Sequence, residues 1–260
     1  MARGIMLDTH CHIDEYPDPL AAVRALDGTA VAAVAVTSTP CAFEALRRRF
    51  GSERRVRLAL GVHPLRASTL SEADWRVFER RATEARYIGE VGLDFSAEGR
   101  ATRAAQERAF KRVLRNVTGR RLLLTVHSRG AERSVLDFLT ESGAGPAVFH
   151  WYSGPLKVLD GLLEAGHYCS FNPAMVRSKK GQEIIRRVPR DRALAETDGP
   201  FVKVGRRRAT PSDVRAVYEH LSDLWQEPID TVVKSVYRNF ISLLSDAEDE
   251  KLGKRAKRLH

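Results

Sequence analysis

Short apolar runs recur along the chain, and each is followed by a longer segment whose apolar residues have the spacing of an amphipathic helix. The runs are rich in aliphatic and β-branched side chains, which is typical of strands buried on both faces of a parallel sheet. We predict eight strands, at residues 5–7, 30–36, 56–60, 87–89, 122–126, 147–149, 168–171 and 193–195.

The intervening segments begin with Pro, Ser or Thr, which are common at helix N-termini. The longest segment places Ala105, Ala109, Val113 and Val117 along one helical face. Predicted helices cover residues 40–50, 102–117, 131–139, 156–164, 179–187, 211–225 and 229–244, and a further helix opens at Ser71.

Eight strands that alternate with helices, with no internal linker, predict an α/β fold: a single (β/α)₈ TIM barrel. An open α/β sheet is the alternative, because each short apolar run is ambiguous when taken alone. We assign residues 1–245 to the barrel domain and residues 246–260 to a charged C-terminal tail.

Histidines and isolated acidic residues follow directly after five of the predicted strands. They are His10, His12, Glu90, His127, His150 and Asp198. The carboxyl ends of barrel strands converge on one mouth, where enzymes of this fold have their active sites. Because imidazole nitrogens and carboxylate oxygens are ligands for divalent metals, we predict a metal site at this mouth.

The spacing of these residues suggests individual roles. His10 and His12 are two residues apart, so both imidazoles point to one face of a strand and can reach one metal. Glu90 has two carboxylate oxygens and is suited to bridging two metals. Asp198 can be a ligand and also the base that deprotonates a metal-bound water. Glu196 lies on the same strand face, where it either supports the ligands or forms an ion pair in the barrel core.

The net charge of +10 favours polyanionic partners such as nucleic acid, although arginine-rich helix faces produce the same imbalance. Three cysteines without CxxC spacing indicate reduced thiols. No apolar run is long enough for a membrane helix, and residues 1–4 lead directly into a strand. We therefore expect a cytoplasmic protein that does not enter the membrane.

Basic and aromatic residues near the predicted mouth are candidates for substrate binding. They are Arg129, Trp151, Tyr152, Lys179, Arg206, Arg207 and Arg208. Arg129 either binds a phosphate oxygen or orders its loop through a salt bridge. Trp151 and Tyr152 either stack on a splayed base or pack beneath the mouth loops. The remaining cations are expected to grip flanking phosphates.

Seven motifs resemble, in order, those of the TatD-like metal-dependent hydrolases, a deoxyribonuclease branch of the amidohydrolase superfamily. They are DTHCHID (8–14), ALGVHP (59–64), IGEVGLDF (88–95), VHSRGA (126–131), FHWYSG (149–154), YCSFNP (168–173) and LAETDGPF (194–201), with Gln106 and Phe110 between the third and fourth. The resemblance implies two divalent ions, Mg, Mn or Zn. One ion would be held by His10, His12, Glu90 and Asp198. The other would be held by Glu90, His127 and His150, with Glu90 bridging.

Several positions depart from this family pattern. Gly130 stands where Asp is typical, Trp151-Tyr152 replaces Cys-Phe, the segment after Asp94 is shortened, and residues 203–208 form an unusual basic loop. The ligand set is intact while the substrate-facing loops are remodelled. Residues 10–19 and 173–181 resemble more narrowly the TatD-like component (QatD) of the Qat anti-phage defence systems, which would imply an ATPase and a QueC-like protein as partners.

The leading hypothesis is hydrolysis of DNA phosphodiester bonds by a water activated between two metals. One alternative is a metal-dependent amide or ester hydrolase that acts on a small molecule, a peptide or an aminoacyl-tRNA. The other is a non-catalytic module of a defence complex. An open, basic mouth would favour the nuclease, and a narrow, closed pocket would favour the small-molecule hydrolase.

Overall fold

The computed structural model describes residues 4–245. The predicted tail at 246–260 lies outside them. The strands are β1 (Met6–Cys11), β2 (Val31–Ala35), β3 (Val56–Leu58), β4 (Tyr87–Gly92), β5 (Leu123–His127), β6 (Val148–His150), β7 (Tyr168–Phe171), β8 (Ala193–Ala195), β9 (Lys203–Val204) and β10 (Arg207–Arg208).

The helices lie between and after these strands. They are α1 (Pro19–Arg24), α2 (Pro40–Phe50), α3 (Glu72–Ala82), α4 (Arg103–Val117), α5 (Glu132–Ser142), α6 (Leu156–Glu164), α7 (Pro173–Arg177), α8 (Lys179–Arg187), α9 (Arg215–Trp225) and α10 (Ile229–Leu244). None of the helices in residues 4–245 is both long and apolar enough to cross a membrane.

Strands β1–β8 are parallel and follow one another around the barrel in chain order. A parallel bridge between Leu60 and Ile88 joins the β1–β3 and β4–β8 sheets. The ring closes between β8 and β1, where the Asp198 amide donates to His10 O at 2.9 Å and the His12 amide donates to Gly199 O at 2.7 Å. The predicted (β/α)₈ barrel is confirmed, and the open sheet is wrong.

Sequence signals at the helix starts have clear structural counterparts. The Thr39 side chain accepts from the Ala42 amide, and Pro40 occupies the first turn of α2. Ser71 and Asp74 form a reciprocal capping box at the start of α3. These caps satisfy amide groups that the first helical turn leaves without partners. Each of these helices follows a parallel strand, so its start lies at the mouth of the barrel.

Some elements differ from the predictions. Strand β1 extends to Cys11, so His10 lies within the strand and not after it. The predicted helix at 211–225 begins as a 3₁₀ turn at Pro211–Val214 and continues as α9. Helix α7 and the β9–β10 hairpin were not predicted. Helix α7 forms because the Asn172 side chain accepts from the Ala174 and Met175 amides and Pro173 fits its first turn.

Candidate metal centre

The six predicted ligands converge at the carboxyl ends of the barrel strands. They are His10 in β1, His12 directly after β1, Glu90 in β4, His127 in β5, His150 in β6, and Asp198 after β8. Five of them are buried and His127 is half-buried. The strand-end pattern in the sequence therefore corresponds to a single cluster of donor atoms.

The two carboxylate oxygens of Glu90 face two different pairs of imidazoles. Glu90 Oε1 lies 2.6 Å from His127 Nδ1 and 2.7 Å from His150 Nε2. Glu90 Oε2 lies 3.1 Å from His12 Nε2 and 3.6 Å from His10 Nε2. The carboxylate thus divides the cluster into two halves, each with nitrogen donors and one oxygen of Glu90.

Asp198 completes the half of the cluster that contains His10 and His12. Its Oδ1 lies 3.5 Å from His12 Nε2 and 3.8 Å from His10 Nε2. Among the described residues this buried oxygen has no hydrogen-bond partner. Buried polar atoms are normally paired, so an orphaned carboxylate oxygen that faces two imidazole nitrogens fits a cation ligand. The donor chemistry of both halves suits a divalent metal.

Neighbouring polar side chains orient the ligand rings. His10 Nδ1 lies 2.9 Å from Thr125 Oγ1, and His127 Nε2 lies 2.9 Å from Asp94 Oδ2. A hydrogen bond at one ring nitrogen fixes the tautomer and aims the other nitrogen at a metal. Both rings are therefore held with their second nitrogen toward the centre of the cluster.

Glu196 lies beneath His150 and is fully buried. Its Oε1 lies 3.6 Å from His150 Nδ1 and accepts from the backbone amide of Trp151 at 3.1 Å. Ser170 and Asn172 donate to the same carboxylate. Of the two roles predicted for Glu196, these contacts favour support of the ligands.

Burial and the mutual fields of these groups shift their pKa values in opposite directions. Burial raises the pKa of Asp198 to about 7 and lowers the pKa of His10 to about 4. Burial opposes ionisation of Glu90 as well, but the surrounding imidazoles hold its pKa well below the usual value. Burial lowers the pKa values of His127 and His150, but the Glu90 charge together with hydrogen bonds to Glu90, Asp94 and Glu196 raises both above the usual value. Without a metal, the cluster therefore retains protons near neutral pH.

A cleft of about 600 Å³ opens over the donor cluster. Its wall includes two exposed aromatic side chains, Trp151 at 36% and Phe201 at 56% exposure. The Phe201 ring packs edge-on against His12, with ring centroids 4.9 Å apart. Among residues 4–245, Arg129 is the single arginine of the lining, which also contains the four carboxylates of Glu90, Asp94, Glu98 and Asp198. The cleft is open, but its lining is not basic.

Arg129 and Trp151 line the cleft as predicted, but Tyr152 does not. Tyr152 is 1% exposed, and its hydroxyl donates to Pro155 O at 2.7 Å. Its ring therefore packs beneath the loop and is not available to stack on a base. Trp151 adopts a positive φ of 38° directly after β6, which turns the chain at the point where the two aromatic residues separate.

Four predicted phosphate-binding cations lie away from the cleft lining. They are Lys179, Arg206, Arg207 and Arg208. Arg207 is engaged by Asp213, with two nitrogen–oxygen distances of 2.6 Å. The hairpin that carries the arginines rests against α7, where Arg177 donates to Lys203 O. The pairing of Arg207 with Asp213 is local, and the predicted contact of these four cations with flanking phosphates stays a prediction.

Sequence reasoning assigned no role to His63, Asp94 or Phe201. His63 Nε2 lies 3.5 Å from Glu90 Oε2, and all three residues line the cleft. His63 follows the third apolar run, so the rule that identified the other ligands also applies to it. Phe201 lies three residues after Asp198, beyond the strand end. A turn in which the Phe201 amide donates to Asp198 O brings the Phe201 ring to the mouth.

A (β/α)₈ barrel with histidines and carboxylates gathered at its mouth suits metal-dependent hydrolysis. The family model described as TatD related DNase matches residues 7–245, so the chain belongs to the TatD family of metal-dependent hydrolases.

Individual relatives agree with this assignment. The chain is 29% identical to human "Deoxyribonuclease TATDN3" over 93% of this chain and 96% of that protein. It is 30% identical to the "Uncharacterized metal-dependent hydrolase TatD" of Mycobacterium tuberculosis over 76% and 80% of the two chains. The structure of YJJV, a TatD homologue from Escherichia coli, superposes with a TM-score of 0.82 at 21% identity, covering 92% of this chain and 97% of that one. The last comparison supports the fold.

Proposed function

We propose that the protein hydrolyses phosphodiester bonds of DNA with two divalent cations, one on each side of Glu90. The observation that carries this proposal is the division of the Glu90 oxygens between His127 and His150 on one side and His10 and His12 on the other. Membership in the TatD family and the similarity to a human deoxyribonuclease support DNA as the substrate class.

His10, His12 and Asp198 would hold one cation, and His127 and His150 would hold the other, with Glu90 shared. When bound, such cations stabilise the charge that develops on the phosphate and lower the pKa of a water. Asp198 accepts the proton of the attacking water, because its carboxylate lies at the side of the cluster beside His10 and His12. Arg129 binds a phosphate oxygen, as a guanidinium fork suits this geometry.

Trp151 and Phe201 provide surfaces on which unpaired bases can stack. Both rings are exposed at the wall of the cleft, and every base has a π-face that stacks on an aromatic ring. A strand end or an unpaired segment fits this arrangement, because its bases are free to rotate out of the helix. We therefore place single-stranded or frayed DNA ahead of intact duplex as the substrate.

The test combines metal content with cleavage of single- and double-stranded DNA. Wild-type protein should bind two divalent ions per chain and cleave DNA. Glu90→Ala should lose activity and at least one ion. Glu53→Ala removes an exposed carboxylate outside the cleft and should retain activity and two ions. A single ion in the wild type would contradict the shared role of Glu90. Hydrolysis of amides or esters, with no cleavage of DNA, would favour the alternative hydrolase.

A role in anti-phage defence, with an ATPase and a QueC-like protein as partners, rests on the narrower motif resemblance, and we propose it as the cellular context in the cytoplasm. Co-purification of the three proteins would support it. Phage plating on cells with wild-type or Glu90→Ala protein would show whether hydrolysis is needed. Equal plating with the wild type and with no protein would contradict the proposal.

A further inference from the structure

A second depression, of about 640 Å³, runs along the outside of the barrel between α3 and α4. One wall carries Arg108, Lys111, Arg112 and Arg115 of α4, and Trp75 of α3 lies in the opposite wall. Spacings of three and four residues place these cations on neighbouring positions of one helical face. We call this depression the α4 groove.

Three of the four cations have no carboxylate partner among the described residues, and one of these three, Lys111, has its Nζ 4.7 Å from the centroid of the Phe138 ring. Arg112 bonds to Glu72 and Glu79 and lies over the Trp75 ring, so it is part of the groove wall. Arg108, Lys111 and Arg115 are exposed, and within residues 4–245 none of them is ion-paired with a carboxylate. Arg108 and Arg115 are seven positions apart, or about 10 Å along the helix, which is about the rise over which one strand of B-DNA carries three phosphates.

The α4 groove adjoins the metal cleft. The 3₁₀ turn Pro64–Arg66 separates them, because Leu65 lines the cleft while Ala67 lines the groove. On the other side, Gln106 of α4 accepts from the amide of Asp94, a residue of the cleft wall. A chain that leaves the cleft across this turn therefore enters the groove directly.

We propose that the α4 groove binds the phosphate backbone of the DNA strand whose scissile bond lies in the metal cleft. This inference rests on the proposed function. The cleft lining has one arginine and four carboxylates, so a polyanion that extends beyond the metals needs cations elsewhere. The groove supplies three exposed cations that have no carboxylate partner among the described residues, next to the cleft. Its lining also includes Glu72, which pairs with Arg112.

The test uses a variant with Arg108→Gln, Lys111→Gln and Arg115→Gln. Its control carries Arg48→Gln, Arg49→Gln and Arg54→Gln. These changes remove the same charge in and just after the last turn of α2, at the end of the barrel away from the mouth. Both are made in an Asp198→Asn background so that binding is measured without cleavage. The readout is fluorescence anisotropy of a labelled single-stranded oligonucleotide across a salt series, with circular dichroism as the check of folding.

The groove variant should flatten the slope of log affinity against log salt by about two, since each lost phosphate contact on a single strand removes about 0.7. The control should keep the wild-type slope. With Asp198 restored, hydrolysis of bis(p-nitrophenyl) phosphate should be the same in the groove variant and the wild type, because this small diester does not extend beyond the cleft.

Equal slopes for the groove variant and the wild type would overturn the groove proposal, and so would an equally flattened slope in the control. In either case, DNA cleavage by the wild type would still support the proposed function. If the wild type cleaved neither DNA nor the small diester, the proposed function would fail and the groove proposal with it.

Discussion

Asp94 holds His127 by its Nε2 at 2.9 Å, and this contact determines which nitrogen of the ring faces Glu90. The opposite nitrogen, Nδ1, then lies 2.6 Å from Glu90 Oε1. Asp94 is itself fixed, because its backbone amide donates to Gln106 and its Oδ1 accepts from the Ser96 amide. Asp94 was not among the predicted ligands, and it sets the orientation of one of them, His127.

Replacing Asp94 should therefore weaken metal binding in the half that contains His127. Asp94→Ala removes the acceptor that fixes the tautomer, and losses of this kind are about 10–100-fold in affinity. Chelator competition on metal-loaded protein measures the change. Asp160→Ala, which breaks an exposed pair with Arg187, is the matched control and should leave affinity unchanged. Wild-type affinity in Asp94→Ala would show that packing alone orients His127.

Asp198→Asn should lower the rate of hydrolysis by at least about 10²-fold while the barrel remains folded. The amide is nearly isosteric with the carboxylate, but it cannot accept the proton of the attacking water. Single-turnover rates with metal-loaded protein measure the effect, and circular dichroism checks the fold. A near wild-type rate with metal still bound would identify another group as the base, and Glu196 would then be the next to test.

Metal affinity should fall as the pH decreases below about 7. Burial raises the pKa of Asp198 to about 7, so in the metal-free protein its carboxyl carries a proton below that pH. A metal requires the carboxylate, and binding must release this proton. Isothermal titration calorimetry in buffers of different ionisation enthalpy counts the protons released. Asp198→Asn should release fewer, and an equal count would assign the released protons to the histidines.

Trp151→Ala and Phe201→Ala should each weaken binding of single-stranded DNA, by about 1–3 kcal/mol for each stacked base. Tyr152→Phe is the internal control, because the ring of Tyr152 is buried and the substitution removes only the hydroxyl that bonds to Pro155. Anisotropy of a labelled oligonucleotide measures all three. A loss confined to Tyr152→Phe would mean that the loop shape matters more than the two exposed rings.

His167 should make the fold less stable at acidic pH. Burial lowers its pKa to about 4, and its Nδ1 accepts from the Ala147 amide at 3.1 Å, so the folded protein keeps the ring neutral. The unfolded chain binds a proton below about 6.5, so this part of the stability is complete above pH 6.5 and is lost as the pH falls toward 4. Urea unfolding at several pH values should show a shallower acid dependence in His167→Gln than in the wild type.

The order of strands and the ligand-bearing strand ends could be predicted from the sequence because both depend on local patterns. Segment 40–50 has the predicted bounds of α2, since Pro40 and the Thr39 cap fix its start. Strand β3 is shorter than predicted and ends at Leu58, while Leu60 is joined to β4 only by a bridge. The apolar run continues past the strand because residues 59–62 are buried, although they are not part of β3.

The substrate-facing residues could not be predicted in the same way. Whether Trp151 or Tyr152 faces the cleft depends on a backbone turn with positive φ, which no apolar pattern encodes. The role of Arg207 depends on Asp213, a partner in the following turn, so its charge in the sequence says little about what it binds. Long-range pairing and loop geometry decide these positions, while strand periodicity decides the ligands.

The seam between β8 and β1 also has a consequence for how the protein is made. His10 and Asp198 meet there through a backbone hydrogen bond, although nearly the whole barrel separates them in the chain. A ribosome synthesises His10 early and Asp198 late, so a nascent polypeptide lacks the proposed base until the eighth strand has emerged and docked. The protein can therefore hydrolyse a substrate only after the eighth strand has docked, in whatever order the earlier strands fold.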